Sequence, residues 1–240
     1  MPILRRRCLK WASRATPSFK SFMVKERDPG QARQRQLRDQ YEAGEHASHY
    51  ADRRWVETGH ARKTDAWEQR VVAELLAQTD GAAGTVLDLP CGHGRFAPLL
   101  NDYAGCLIQG DLAASMLERR RDPSALALQG SLLALPIRDD SVDLAFCFRV
   151  LHHFPEAALR ARAIAELGRV SRRWVLTSYY DAGSFPVWRD RLRGRKRELT
   201  SCSHAEFENE AAAAGLRVVT RRFRRRWFSQ QVLALLEVVA

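Results

Sequence analysis

With 240 residues, 45% of them hydrophobic, the chain is long enough for one full α/β domain with appendages and too short for two comfortable ones. Its net charge of +11 suits an acidic partner, and its five cysteines, odd in number and without CxxC spacing, point away from a disulfide framework or a zinc site and toward a reducing cytosol. No stretch approaches the roughly 20 apolar residues of a membrane span. No apolar core of signal length follows the basic start, so a cytoplasmic protein is expected, at most peripheral at a membrane surface.

Residues 1 to about 40 read as a poorly ordered basic arm, with Arg5, Arg6, Arg7 and Lys10 at its start and the run QARQRQLRDQ at its end. A single domain is expected over 41–240. It opens with a helical cap over 41–83, where Trp67, Val71, Val72, Leu75 and Leu76 recur at three- and four-residue spacing. Tyr50, Arg54, Trp55 and Arg62 precede or begin this helix and are candidates to cover a cleft.

The stretch Thr85 to Pro98 predicts a buried strand, a tight turn and the start of a helix. Gly92 and Gly94 allow backbone to approach a ligand closely. Asp88 closes the strand, where a carboxylate repels a pyrophosphate and welcomes a cation. A rival reading is open, because Gly92 to Ala97 also fits G-x-G-x-x-A with Asp111 downstream, the pattern of a dinucleotide site.

Further strands are predicted at Cys106 to Gln109, Ala125 to Gln129, Leu144 to Phe148 and Trp174 to Ser178, with helices at Leu112 to Arg121 and Pro155 to Val170. Asp111, at the end of the second strand, is placed to accept from ribose hydroxyls. From Ala182 to Thr200 the periodicity fails, and Phe185, Pro186 and Trp188 are interleaved with arginines. This basic insertion, 182–202, is expected to form a lid over the cleft mouth. Ser203 and Glu206 form a capping box for a helix that ends at Gly215, and strands over 216–223 and 230–238 close the sheet.

Several of these features occur together: Asp88-x-Pro90-x-Gly92-x-Gly94, Asp111, the Leu135-Pro136 run before Ser141-Val142-Asp143, and Leu151-His152-His153. Together they resemble class I S-adenosylmethionine-dependent methyltransferases, and in particular the branch that includes ubiquinone and menaquinone biosynthesis enzymes. Two departures are visible. Pro90 replaces the first glycine, and Ser131 stands where an adenine-binding acid usually sits. A hydroxyl still accepts a hydrogen bond there, more weakly than an ionised group.

The resemblance implies an α/β fold: a doubly wound, seven-stranded, mostly parallel sheet with an antiparallel C-terminal edge hairpin. It implies S-adenosylmethionine as cofactor, held by Asp88, Pro90, Cys91, Gly92, Gly94, Asp111, Leu112, Met116, Ser131, Leu132 and Arg149. No metal is expected. His153, His152 and Tyr179 are candidate bases, since an imidazole with a pKa near ~6.5 can take a proton from a hydroxyl. Arg149, a charge at the end of a buried strand, needs a carboxylate partner. His93 sits in the glycine turn, where the family has a threonine or serine.

The expected acceptor is a small molecule or lipid, acidic or phosphorylated, which suits the basic lid and arm; the basic segments also suit contact with an anionic membrane. RNA is the competing acceptor, because Arg221 to Phe228 offers phosphate contacts and stacking rings on one stretch. A non-catalytic protein that binds S-adenosylmethionine is the third reading.

Overall fold

The computed structural model describes residues 58–79, 83–197 and 199–239, together with 32, 35, 36, 38 and 39. Most of the basic arm, and Tyr50, Arg54 and Trp55, lie outside the described residues. The described residues of the arm, Ala32, Arg35, Gln36, Arg38 and Asp39, are helical, which departs from the expected lack of structure.

Short β-rich apolar runs make seven strands: β1 (Ala83–Asp88), β2 (Ala104–Asp111), β3 (Leu126–Gln129), β4 (Val142–Cys147), β5 (Ser171–Tyr180), β6 (Leu216–Phe223) and β7 (Gln231–Val238). They form one sheet in the order β3-β2-β1-β4-β5-β7-β6. The pairs among β1 to β5 are parallel, and β7 runs antiparallel between β5 and β6. The chain winds outward from β1 in both directions, so the crevice beyond the carboxyl ends of β1 and β4 is where such a sheet accepts a ligand.

Helices cover both faces. On one side, α1 (Gly59–Leu76) and α2 (Ala97–Tyr103) set Val72, Leu75, Leu76 and Leu100 against Val86, Leu107, Leu144 and Leu176. On the other, α4 (Ala157–Val170) and α6 (His204–Ala213) set Ile164, Leu167 and Phe207 against Leu87, Ile108, Ala145 and Val175; the short α3 (Ala114–Glu118) follows β2. Val86 and Leu87 fall on opposite faces because side chains alternate along a strand. Each such fully buried side chain contributes about 1.5–3 kcal/mol.

Two segments differ from the sequence reading. The helix expected over 112–121 is confined to Ala114–Glu118. Asp111 accepts from the Ala113 N–H before it, and Pro123 disfavours helical backbone at the residue it follows, so the chain turns there. The supposedly irregular insertion contains a helix, α5 (Phe185–Leu192), opened by Pro186 in its first turn and followed by Gly194 at φ +60°. Its period was hidden because Val187 alone turns inward and the other apolar residues point out.

Cys91, Cys147 and Cys202 are free buried thiols, and Cys106 is disulfide-bonded. Among the described residues no helix is long and apolar enough to cross a membrane.

The two helices on the second face are tied by a two-pronged ion pair. Arg160, 6% exposed, donates from Nε to Glu210 Oε2 at 2.8 Å and from its terminal nitrogen to Oε1 at 2.6 Å. Glu210→Ala strands a buried guanidinium. It should lower the unfolding free energy by about 3 kcal/mol in urea denaturation, whereas a loss below about 1 kcal/mol would mark the pair as no more than a surface contact.

Candidate cofactor and active site

β1 ends in Asp88, and the chain then reverses through Leu89, Pro90, Cys91, Gly92, His93 and Gly94 before α2. Gly92 and Gly94 have φ of +55° and +76°, left-handed values that suit glycine. A Cβ on Gly94 would lie 2.7 Å from the Gln109 amide, so no other residue fits without displacement. The turn is fastened to β2: the Cys91 N–H donates to Gly110 O at 2.7 Å and the Gly92 N–H to Asp111 Oδ2 at 2.9 Å. The Gly94 N–H donates to Cys91 O at 2.9 Å. These three N–H groups are spent inside the protein, so the turn does not present them to a pyrophosphate, and the dinucleotide reading loses its main contact.

Two carboxylates sit at the floor. Asp88 is 2% exposed, and its Oδ2 is buried without a hydrogen-bond partner. Burial pushes its pKa well above the ordinary carboxylate value, the neighbouring charge of Asp111 adds to the rise, and Gln109 and Arg95 offset part of it. Asp111 is also raised by burial, with its backbone hydrogen bonds to Ala113 and Gly92 pulling the other way. A buried acid with an unanswered oxygen is a site that favours a cationic ligand.

Above this floor opens a cleft of about 130 Å³. One wall is aromatic: Phe146 near the end of β4 and Phe148 just beyond it stack at 5.6 Å, and Phe96 meets both edge-on at 5.0 and 4.8 Å. Leu112, Ala113 and Met116 form part of the opposite side. Behind the aromatic wall is a buried ionic network. Glu68 on α1, 0% exposed, accepts from Arg95 at 2.7 Å, Arg149 at 2.9 Å and Gln231 at 2.8 Å. Asp65, one turn earlier, also accepts from Arg95. One carboxylate thereby joins α1, the glycine turn, the loop after β4 and the start of β7.

The structure gathers most of the anticipated site residues. Asp88, Pro90, Cys91, Gly92, Asp111, Leu112, Met116, Arg149 and His153 all line the cleft, and Gly94 shapes the turn beneath it. Burial raises the Cys91 thiol far above its usual range, which makes it a packing group. Arg149 has the carboxylate partner its position required, and it holds φ +58°, a conformation that costs a non-glycine residue about 1–3 kcal/mol.

Other expectations are corrected by position. Ser131 does not line the cleft, since its hydroxyl accepts from the Leu133 N–H at 3.0 Å within its own turn; Leu132 is packed in the core. Tyr179 lies on the α6 side of the sheet, stacked on Phe207 at 4.1 Å with its hydroxyl 2.7 Å from His204 Nδ1, and burial raises its pKa, so it is no base for this cleft. His152 turns away as well, buried and stacked on Tyr180 at 4.0 Å. Among the described residues, none of the 182–202 insertion lines the cleft, and Arg62 is also absent from the lining. The sequence reading missed Arg38, which reaches the cleft from the arm, and the network around Glu68. A signal for Glu68 existed: it precedes Val71, Val72 and Leu75 by three, four and seven residues, which puts a carboxylate on the apolar face of α1.

A sheet wound outward from β1, with a glycine turn after β1 and acids closing β1 and β2, is the architecture of class I S-adenosylmethionine-dependent methyltransferases. Residues 87–173 match the family model described as methyltransferase domain, and the chain carries a domain of that family, whose cofactor is S-adenosylmethionine. In Mus musculus, tRNA (carboxymethyluridine(34)-5-O)-methyltransferase ALKBH8 is 29% identical over 149 residues, 57% of this chain and 22% of that protein. In Homo sapiens, a protein described as probable tRNA methyltransferase 9B is 31% identical over 110 residues, 45% of this chain and 23% of that protein. The chain thus spans under a quarter of the length of these two relatives. Magnesium protoporphyrin IX methyltransferase from Synechocystis, solved with bound SAH, shares the fold: TM-score 0.69 and 13% identity over 85% of this chain and 98% of that one.

The raised Asp88 carries a sign. Its folded pKa lies above the unfolded value near 3.8, so its contribution to stability is complete below that value and is lost as pH rises through the folded pKa. The ligand-free protein should therefore lose stability as pH rises above about 4, and Asp88→Asn should flatten that loss in urea midpoints taken across a pH series. An unaltered pH slope in the variant would contradict the assignment.

Proposed function

We propose that the chain transfers a methyl group from S-adenosylmethionine to a small-molecule or lipid acceptor of acidic character. The observation that carries the reading is the buried, unpartnered oxygen of Asp88 at the glycine turn, which suits the ammonium of the donor. S-adenosylmethionine, when bound, supplies an electrophilic methyl group and departs as S-adenosylhomocysteine. Asp111 is the proposed ribose contact: each of its oxygens already accepts one backbone N–H and keeps a second lone pair for a hydroxyl. Leu112, Met116 and the Phe96–Phe146–Phe148 wall exclude water, which strengthens the electrostatic contacts in the cleft. Glu68 acts as a positioning residue that fixes the Arg149 loop, and hence the approach to His153.

Displacement at a methyl carbon is governed by alignment, so the protein needs only a modest base. His153 is the proposed one. It lines the cleft, and its N–H donates to Val150 O at 2.8 Å, which holds the short 3-10 turn Leu151–His153. An imidazole nitrogen of His153 would take up the proton that the acceptor's oxygen or nitrogen gives up on methylation. RNA is the second reading of the acceptor, favoured by the names of the tRNA methyltransferase relatives. Labelled donor offered with lipid extract and with purified RNA separates the two: label in the lipid fraction supports the first, and label in RNA alone transfers the assignment to the second.

Asp88→Ala should abolish donor affinity in calorimetry, and a retained affinity would reject the site. His153→Ala should lower kcat by about 10²–10⁴-fold while donor Kd changes little. Equal losses in kcat and affinity would make His153 a packing residue.

A further inference from the structure

Beyond the cleft, the largest unexplained feature of the described surface is apolar. α5 exposes Phe185 (44%), Trp188 (54%) and Leu192 (67%), at i, i+3 and i+7 and so along one side of the helix, while Val187 turns into the protein. The turn between β6 and β7 adds Trp227 (64%) and Phe228 (70%). The two pieces are joined: the Phe185 N–H donates to Trp227 O at 2.6 Å, and the Phe185 ring lies 5.8 Å from Trp188 and 6.2 Å from Phe228. Trp227 holds φ +73°, a left-handed conformation that a bulky residue adopts only when its surroundings impose it. Monomeric proteins do not leave a contiguous apolar patch of this kind without a use.

Its rim is cationic. Arg193, Arg195 and Lys196 follow α5, and Arg225 and Arg226 precede Trp227; all five are exposed, and none makes an ion pair with a carboxylate among the described residues. The patch lies at the same end of the sheet as the cleft. β5 ends at Tyr180, which pairs with Gln231 at the start of β7, and Gln231 bonds to Glu68 of the cleft network. On the other side of that junction, Arg197 of the segment after α5 pairs with Gln230 and, at 2.6 Å, with Asp190 of α5.

We propose that this surface, the α5 stripe with the Trp227–Phe228 tip, seats the protein on an anionic lipid surface with the cleft mouth beside it. An apolar stripe flanked by unpaired cations is the pattern of an element lying in a membrane interface, with rings at the headgroup level and arginines on lipid phosphates. Single-stranded RNA fits the same patch less well. Base stacking needs open, flat faces, whereas Leu192 has no π face and the Phe185, Trp188 and Phe228 rings are tilted 31° and 50° against one another in a closed cluster. The inference stands apart from the donor site, since it needs no methyl donor.

The test is flotation of the full chain with vesicles of phosphatidylcholine alone or mixed with phosphatidylglycerol, with tryptophan emission followed in parallel. The protein should float with the anionic vesicles, with a blue shift, and stay behind with the zwitterionic ones. Trp227→Ser with Phe228→Ser, Trp188→Ser, and Arg225→Glu with Arg226→Glu should each reduce the bound fraction about tenfold. All of these positions are exposed, so circular dichroism and donor affinity should be unchanged. Absence of binding to anionic vesicles overturns the proposal, as does binding that all three variants retain. Binding of a single-stranded oligonucleotide that the aromatic variants lose, with vesicles left unbound, overturns it in favour of RNA.

Discussion

The site depends on a carboxylate that the fold buries without answering. Asp88 closes β1 beside a turn whose Cys91, Gly92 and Gly94 N–H groups are already committed, so its Oδ2 has no hydrogen-bond partner and Gln109 and Arg95 offset only part of the cost of burying it. Water screens it little, and Asp111 nearby makes the local potential still more negative. A fold tolerates such an arrangement when a ligand cation completes it. The same committed N–H groups argue against a diphosphate, so one piece of local geometry both selects the donor and rejects its rival.

A second buried acid gives this floor its shape. Glu68 is fully buried yet serves Arg95, Arg149 and Gln231 at once. With Asp65 also on Arg95, the two guanidiniums of the network are matched by two carboxylates, so it adds little net charge beside the cleft. Its contribution is mechanical more than energetic, because buried ion pairs roughly balance desolvation against attraction. What it secures is the relative placement of a helix, a turn, a loop and the start of β7, which the backbone alone does not connect.

Much of this was legible in the sequence. The strand runs, the two acids and the glycine turn were placed by periodicity and spacing because they are local properties. Tyr179 failed for a reason that is also local once the strand is set: with side chains alternating along β5, it shares a face with Val175 and points toward α6. Ser131 failed because a serine in a turn can satisfy its own backbone, which spacing does not reveal. The helix in the insertion was invisible since its apolar side is the exposed one. Arg38 could not be found at all, because no pattern links a residue in a basic arm to a cleft formed 50 residues later.

The cleft and the aromatic patch therefore share one end of the sheet, joined through Gln230 and Gln231. An acceptor held at that patch would lie at the end of the sheet where the cleft opens. The central claim is the donor itself, and native mass spectrometry of the intact purified protein, before and after addition of S-adenosylmethionine and of NADH, tests it most directly. The account predicts one equivalent of the methyl donor or its demethylated product retained by the folded chain and no nicotinamide dinucleotide; a retained dinucleotide, or a chain that stays bare in excess donor, would contradict it.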